Sequence, residues 1–460
     1  MKNPIAEFEG LSDLIQKWRS SVLIPYSDAH LDDLIPSKGP AYNDFIEKDL
    51  ENISKLTAGH CLVQYFGKDK VVPEITAPAR FYKEQVERRG EKLFDWDELI
   101  SELNEFGMGD AITELLKVGT GIDVEAIKQD TETFESLAAM LPRTMDGGTL
   151  LDVVKDLQDL SNNMWAEPDR YKEIRSQVKD NVELPREVSN WENVIERLDA
   201  TLPNTTFGRD FSGFTLEYAS KNGQDNQVSR YSYFIATYMN LDLLGFRPEK
   251  ITQKNGFPNF LNDARHAFYA GHCDYYITND KKGKHKAKAV FEHLKIETEV
   301  LNVSEFIEQV GNWKPLLHSH FDFLDQVVQI LELPGWDLVV SEDGAGETTY
   351  RRELDHKFLN FFNTVYRSLL PSGENKIHFV WEPTTYSEFW FFKEIETLVN
   401  HLVEVWGEDH TGVGMFTESE ISCLLDAKWA PRRWRWEFLG IDLHYQGLFG
   451  IAMTLTITSK

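Results

Sequence analysis

Residues 262–280 read NDARHAFYAGHCDYYITND, and the division of this stretch decides the fold. Residues 263–272 read as a helix opened by Asp263. Residues 274–279 read as a strand closed by Asp280. The alternation continues on both sides. Tyr231, Phe234, Ile235, Tyr238 and Leu241 share one face of a helix over 228–243. Ala287, Val290, Phe291 and Leu294 share a face of another, and 298–302 is strand-like. Helix, strand, helix, strand, helix in this order marks a layered α/β unit with a mostly parallel sheet.

That topology brings two acids together. In a right-handed α/β unit each helix runs opposite to the strands it covers, so it begins where strands end. A helix over 263–272 is about 15 Å long, and a strand over 274–279 about 20 Å. The chain descends one and climbs the other, so Asp263 and Asp280 are expected at one edge. Two adjacent carboxylates resist ionisation unless a cation lies between them. Mg²⁺ or Mn²⁺ accepts such oxygen ligands, with water in the remaining positions. Strand 22–26 and helix 27–34 form a second unit of this kind, with Asp28, Asp32 and Asp33 at the same edge. The ordinary explanations are a helix-start acid for Asp263 and a turn acid for Asp280.

Outward from this core, Phe8, Leu11, Leu14, Ile15 and Trp18 make the apolar face of a first helix. A helix near 43–56 leads into an apolar strand at 61–66. From about 68 to 205 acidic amphipathic helices follow one another. Asp95 with Glu98 has the form of a capping pair, and Leu150, Val153, Leu157 and Leu160 form a stripe. The region reads as a helical insertion between core segments 1–67 and 206–310. Residues 311–460 read as a separate α+β domain. Its strands fall at 337–340 and 376–382 and its helices at 351–369 and 387–406. Thr417 and Glu420 fit a capping box, and Trp434, Trp436 and Phe438 alternate with polar residues in a terminal hairpin.

The totals narrow the function classes. A chain of 460 residues is expected to form two or three domains. Its formal charge of −27 repels polyanions over most of the surface, so any nucleic-acid contact must be local or metal-assisted. Three scattered cysteines, Cys61, Cys273 and Cys423, suit reduced thiols and a cytoplasmic setting. No apolar run has the length of a membrane span, and no signal peptide is visible.

Other motifs favour structural roles. His318-Ser319-His320-Phe321-Asp322 has the HxHxD spacing of some hydrolase metal sites, but no fitting strand precedes it and no second His follows Asp322. The tetrapeptide AGHC ends at both Cys61 and Cys273. Each Cys begins an apolar strand, where it behaves as a small hydrophobe rather than a zinc ligand. Gly344-Ala345-Gly346 lacks a phosphate-loop Lys. RRWRW at 432–436 mixes cations and aromatics as single-strand binders do, but its alternation places tryptophans inward and arginines outward.

Four stretches together resemble the PIN-like nuclease superfamily: PYSDAHLDDL at 25–34, DLENISKLTAGHCL at 49–62, NDARHAFYAGHCDYYITNDKKGKHKAK at 262–288, and IETEVLNVSEF at 296–306. The likeness covers about 1–66 and 206–310. It implies a three-layer PIN-like core and metal-dependent phosphodiester hydrolysis, usually of RNA. Asp33, Asp263 and Asp280 match the family's acids, in catalytic and metal-binding roles with Mg²⁺ or Mn²⁺. Lys281, Lys282 and Lys284 follow Asp280 and are expected to meet the phosphate backbone of RNA or DNA; the alternative is a solvated helix face. A protein partner is expected on the insertion or the C-terminal domain, as in a regulated toxin or antiviral effector. The family's leading acid ends the first strand, whereas this chain is helical from about residue 5. Three explanations stay open: a start upstream of Met1, substitution by Glu7, Glu9 or Asp13, or an inactive relative that acts as a scaffold or regulatory subunit.

Overall fold

A computed structural model describes residues 4–18, 22–34, 43–65, 70–90, 172, 175, 176, 184, 186–205, 208–221, 228–250, 257–311, 319–339, 348–370, 375–382, 391–436, 439–446 and 450–457. The Asp95–Glu98 pair, the Leu150–Leu160 stripe and the Gly344–Gly346 turn lie outside them.

The chain is mixed α/β, but its sheets are not one mostly parallel layer. Helix α1 (Pro4–Lys17) precedes strand β1 (Tyr26–Ser27), which runs straight into the short helix α2 (Asp28–Asp32). Of the strand expected over 22–26, only its end pairs. Helix α3 (Asn43–Thr57) leads to β2 (His60–Gln64) through Ala58 and Gly59, both at positive φ (50° and 82°), so the first AGHC is a helix-to-strand turn. β1 and β2 are parallel. Strand β3 (Val71–Ile75) then pairs antiparallel with β2. The connection is too short for the crossover that a parallel partner requires. The boundary expected at 67 therefore falls inside a hairpin. Helix α4 (Pro78–Gly90) also belongs here, since Phe81 packs with Tyr26, Leu31, Leu50 and Cys61.

The boundary at 205 falls inside a packed unit as well. Helix α5 (Val194–Thr201) buries Val194, Ile195 and Leu198 in one cluster with α6 (Phe211–Lys221), α7 (Arg230–Leu243), α8 (Phe257–Ala270) and α9 (Lys281–Leu294). Strands β4 (Tyr275–Ile277) and β5 (Glu299–Leu301) flank α9 in sequence and pair in parallel, as the alternation predicted. Helix α10 (Val303–Gly311) packs against α1 through Leu11, Leu14, Phe306 and Val310.

The C-terminal part is α+β. Helix α11 (His320–Glu332) starts at Ser319, whose hydroxyl accepts the Asp322 N–H at 3.3 Å, so most of the HxHxD spacing is a helix cap. Seven antiparallel strands follow in the order β10-β11-β12-β9-β8-β7-β6. They are β6 (Asp337–Val339), β7 (Thr348–Phe358), β8 (Phe362–Leu369), β9 (Asn375–Val380), β10 (Arg432–Arg435), β11 (Leu439–Tyr445) and β12 (Ile451–Ile457). Helices α12 (Phe392–Trp406) and α13 (Glu418–Leu425) contribute to the same core as the strands.

The helix expected over 351–369 is instead the β7–β8 hairpin. Leu359 and Asn360, both at positive φ (53° and 55°), form a tight turn closed by Phe361 N–H donating to Phe358 O at 3.1 Å. The apolar spacing Leu354, Phe358, Phe361, Val365 imitates a helical face, and no Asn-Gly or Asp-Gly marks the turn. The terminal hairpin buries Trp434 as expected, but Arg432 is buried too, with its guanidinium on Glu420 and on the carbonyls of Val413 and Gly414. Lys357 Nζ pairs with Asp274 at 2.5 Å, and the Phe391 ring meets His60 edge-on, so the C-terminal part touches the unit that carries β4.

Candidate functional site

Helix α8 begins earlier than expected, at Phe257, with Pro258 in its first turn where a missing N–H is tolerated. Asp263 therefore lies inside the helix and is not a helix-start acid. Asn262, Arg265 and His266 stand at spacings of three and four, on one face of the helix, and all three reach α2 or its C-cap.

These contacts engage the α2 acids. Arg265 pairs with Asp28 at 2.6 Å and also with Asp32. Asn262 Nδ2 donates to Asp33 Oδ1 at 2.6 Å and to Ala29 O at 2.8 Å, and His266 Nε2 lies 2.9 Å from Asp33 Oδ2. Burial pushes the Asp33 carboxyl up, but the bonds to His266 and Asn262 outweigh it and hold it below the usual range. Behind this contact His30 stands edge-on to His266 at 4.5 Å, and burial drives its imidazole down to about 3.

Asp263 has the opposite environment. Burial first, and then the neighbouring Asp280, push its carboxyl up to about 7, while His266 and Lys286 pull it down. Asp280 is the N-cap of α9, with Oδ1 accepting the Lys282 N–H at 3.0 Å. Its other oxygen faces Gly283, where a Cβ would come within 2.9 Å of Asp280 Oδ2 and 3.4 Å of the Tyr238 hydroxyl. Burial raises the Tyr276 phenol, and Asp263, Asp280 and Asp33 raise it further.

Among the described residues no set of three or more His, Cys, Asp or Glu side chains is arranged to hold a metal ion. Asp33 is bonded elsewhere, whereas Asp280 raises the Asp263 carboxyl. The donor chemistry suits a cation held by two carboxylates, because Mg²⁺ and Mn²⁺ complete their shells with water and substrate oxygens. A Cβ at Gly283 would crowd Asp280 Oδ2. Gly283→Ala is expected to weaken Mn²⁺ binding, read by calorimetry, without unfolding the chain. Ala favours the helix by about 1 kcal/mol, which offsets part of the close contact.

The lysine run divides. Lys281 is exposed. Lys282 Nζ bonds the Pro248 carbonyl and lies 3.8 Å from Glu249, and Lys284 pairs with Glu305. Lys286 is completely buried, 3.2 Å from Asp242 and 2.8 Å from Glu249, with its ammonium 4.4 Å from the Phe260 ring centre. Arg175 completes the group, 3.2 Å from Asp242. Sequence reading missed this network. Its one visible signal is a lysine within the stripe Gly283, Ala287, Val290, Phe291. Asn262 and His266 were missed too, although their spacing of four places both beside Asp263.

Cys61 is buried among the β1–β2 side chains and Cys273 packs against the main cluster, so neither AGHC cysteine stands in a metal group among the described residues. No described helix is long and apolar enough to cross a membrane. No protein-family model matches the chain, and neither a curated protein nor a solved structure matches it.

Proposed function

We propose that the chain is a metal-dependent phosphodiesterase of the PIN-like kind, an endoribonuclease, with its site at the Asp263–Asp280 pair. The observation that supports this is that the Asp280 carboxylate, at the start of α9, raises the Asp263 carboxyl on α8. A carboxyl raised by burial and by a neighbouring acid, as Asp263 is, is common at functional sites. Asp263 and Asp280 would hold Mg²⁺ or Mn²⁺. Such an ion polarises a phosphate and makes a bound water acidic.

The chain's own groups do the rest. Asp280 presents one oxygen while its other stays fixed by the Lys282 N–H. Tyr276 and Tyr238 keep protonated phenols, raised by burial first and further by Asp263 and Asp280. Lys281, exposed and next to Asp280 in sequence, would meet a phosphate. Asp33 acts as a positioning residue, by orienting His266 and Asn262 on the helix that carries Asp263.

A second reading has a specific observation in its favour. Asp33 is consumed by hydrogen bonds, and no three-ligand group occurs among the described residues. That arrangement suits an inactive PIN-like scaffold or regulatory subunit that binds a protein partner.

Asp280→Asn separates the two. Asn is as good a helix cap as Asp, so the substitution removes charge and keeps the fold. With labelled RNA and DNA, the hydrolase reading predicts cleavage in Mn²⁺, none in chelator, and a loss of at least about 100-fold in Asp280→Asn, the scale of removing one charge-stabilising group. Cleavage indifferent to both chelator and substitution removes it.

A further inference from the structure

Two arginines of the C-terminal sheet stand where its apolar residues stand. Arg352 on β7 has Val365 as its register partner, and Arg367 on β8 has Ile377, both buried in the core. Cross-strand partners share a face of the sheet, so both arginines lie on the core side. The row through Arg367 continues to Tyr350 and then to Leu338 on the edge strand β6. Arg352 and Arg367 are diagonal neighbours across β7 and β8, about 7–8 Å apart. Both are half-buried.

The row of partners that starts at Arg352 ends on Arg432 at the β10 edge, where Glu420 meets the guanidinium at 2.9 Å. Arg352 has no such acid, and its Nε is buried with no hydrogen-bond partner. Among the described residues neither Arg352 nor Arg367 makes a side-chain hydrogen bond or an ion pair. Asp337 and Glu353 alternate with Leu338 and Arg352, so they fall on the opposite face, where Arg351 takes Glu353 and Glu382. Glu332, at the end of α11, pairs with neither arginine. The Arg352 guanidinium lies against the turn from α11 to β6, where a Cβ on Gly335 would come within 3.3 Å of Nη1. The dipole at the end of α11 offers it about half an elementary charge, against two on the guanidiniums. The pair repel each other, and a buried N–H without a partner is costly.

We propose that Arg352 and Arg367, with Tyr350 beside them, form a binding site for a dianionic phosphate group, free or as the monoester of a small molecule, on the core side of the C-terminal sheet by its β6 edge. Such a group carries about two negative charges near neutral pH and three acceptor oxygens, enough for both guanidinium forks. A carboxylate or a phosphodiester brings one charge and leaves one arginine unmet. Leu338, exposed in the same row, and Trp336, at the margin of the core, offer an apolar surface to the body of an ester. This site is independent of the Asp263–Asp280 reading.

The test is calorimetric titration of the full chain, in metal-free buffer at low salt, with phenyl phosphate, inorganic phosphate and benzoate. Both phosphates should bind at one site, and benzoate at least about tenfold more weakly, since it leaves one guanidinium unmet. A preference for phenyl phosphate assigns the site to an ester, and equal or reversed affinity assigns it to the free ion. The double variant Arg352→Gln, Arg367→Gln should bind about 100-fold more weakly, the scale of two charge-assisted partners lost. The control Arg80→Gln, Lys428→Gln, which removes equal charge at exposed positions, should keep the parent affinity. A second measurement needs no variant. Phenylglyoxal labels arginine side chains, and saturating phosphate should protect Arg352 and Arg367 of the parent while exposed Arg80 stays labelled. A parent that binds neither phosphate, affinity unchanged in the Arg352 and Arg367 variant, benzoate bound as tightly as phenyl phosphate, or labelling indifferent to phosphate each overturns the site.

Discussion

Lys286→Met is expected to lower the free energy of unfolding by about 3–5 kcal/mol, because breaking a buried ion pair leaves its partner charges uncompensated. Met fills nearly the same space, so a cavity contributes little. What is lost is the ammonium between Asp242 and Glu249, both buried, which leaves Arg175 as the main counter-charge. The contact with the Phe260 and Tyr238 rings is lost too. Urea denaturation measures the change. An unaltered slope with a lower midpoint identifies a native-state effect. The double variant Lys286→Met, Glu249→Gln should recover part of the loss, since one orphaned charge is then removed. A change below about 1 kcal/mol would mean that water reaches these groups.

Asp263→Asn is expected to do the reverse at alkaline pH. The Asp263 carboxyl sits at about 7 in the folded chain, against ~3.9 in an unfolded one. Between these values the folded state keeps a proton that the unfolded state has lost. Stability from this group therefore falls as pH rises through that window and stays low above it. Asn carries no charge, so at pH 8 the variant should be more stable than the parent by about 2 kcal/mol, a figure reduced for partial solvation. Near pH 4 the difference should vanish. Mn²⁺ should raise the parent's melting temperature at pH 8 and leave that of the variant unchanged, because a ligand stabilises only the state that binds it. A variant less stable than the parent at pH 8 would mean that Asp263 is not held up by burial and by Asp280.

Much of the architecture was legible where periodicity was strong and neighbours were local. Helices α3, α7, α9 and α12 and the parallel pair β4–β5 follow their apolar spacing, and the Thr417–Glu420 cap appears where its residues put it. Reading failed where a tertiary partner overrode the local pattern. The β7–β8 hairpin carries helical spacing, and strand β3 lies where composition suggested an insertion. The site divides in the same way. Topology suggested that Asp263 and Asp280 lie at one edge, but on the premise that Asp263 opens its helix; the helix starts six residues earlier, and what remains is the rise that Asp280 imposes on Asp263. The engagement of Asp33 was not legible, because it depends on which rotamers Asn262 and His266 adopt across a helix–helix contact. Nor was the burial of Lys286, whose partners lie 37 and 44 residues away in sequence.

The most direct measurement is a Mn²⁺ titration of the full chain near neutral pH, followed by electron paramagnetic resonance, for the parent, Asp263→Asn, Asp280→Asn and Asp33→Asn. The two-carboxylate account predicts one tight site in the parent, weakened by roughly 100-fold or more in Asp263→Asn and Asp280→Asn, beyond the usual effect of removing an outer-shell partner. Asp33→Asn should retain it. A parent that binds no Mn²⁺, or binding unchanged by the substitutions at 263 and 280, would contradict the account.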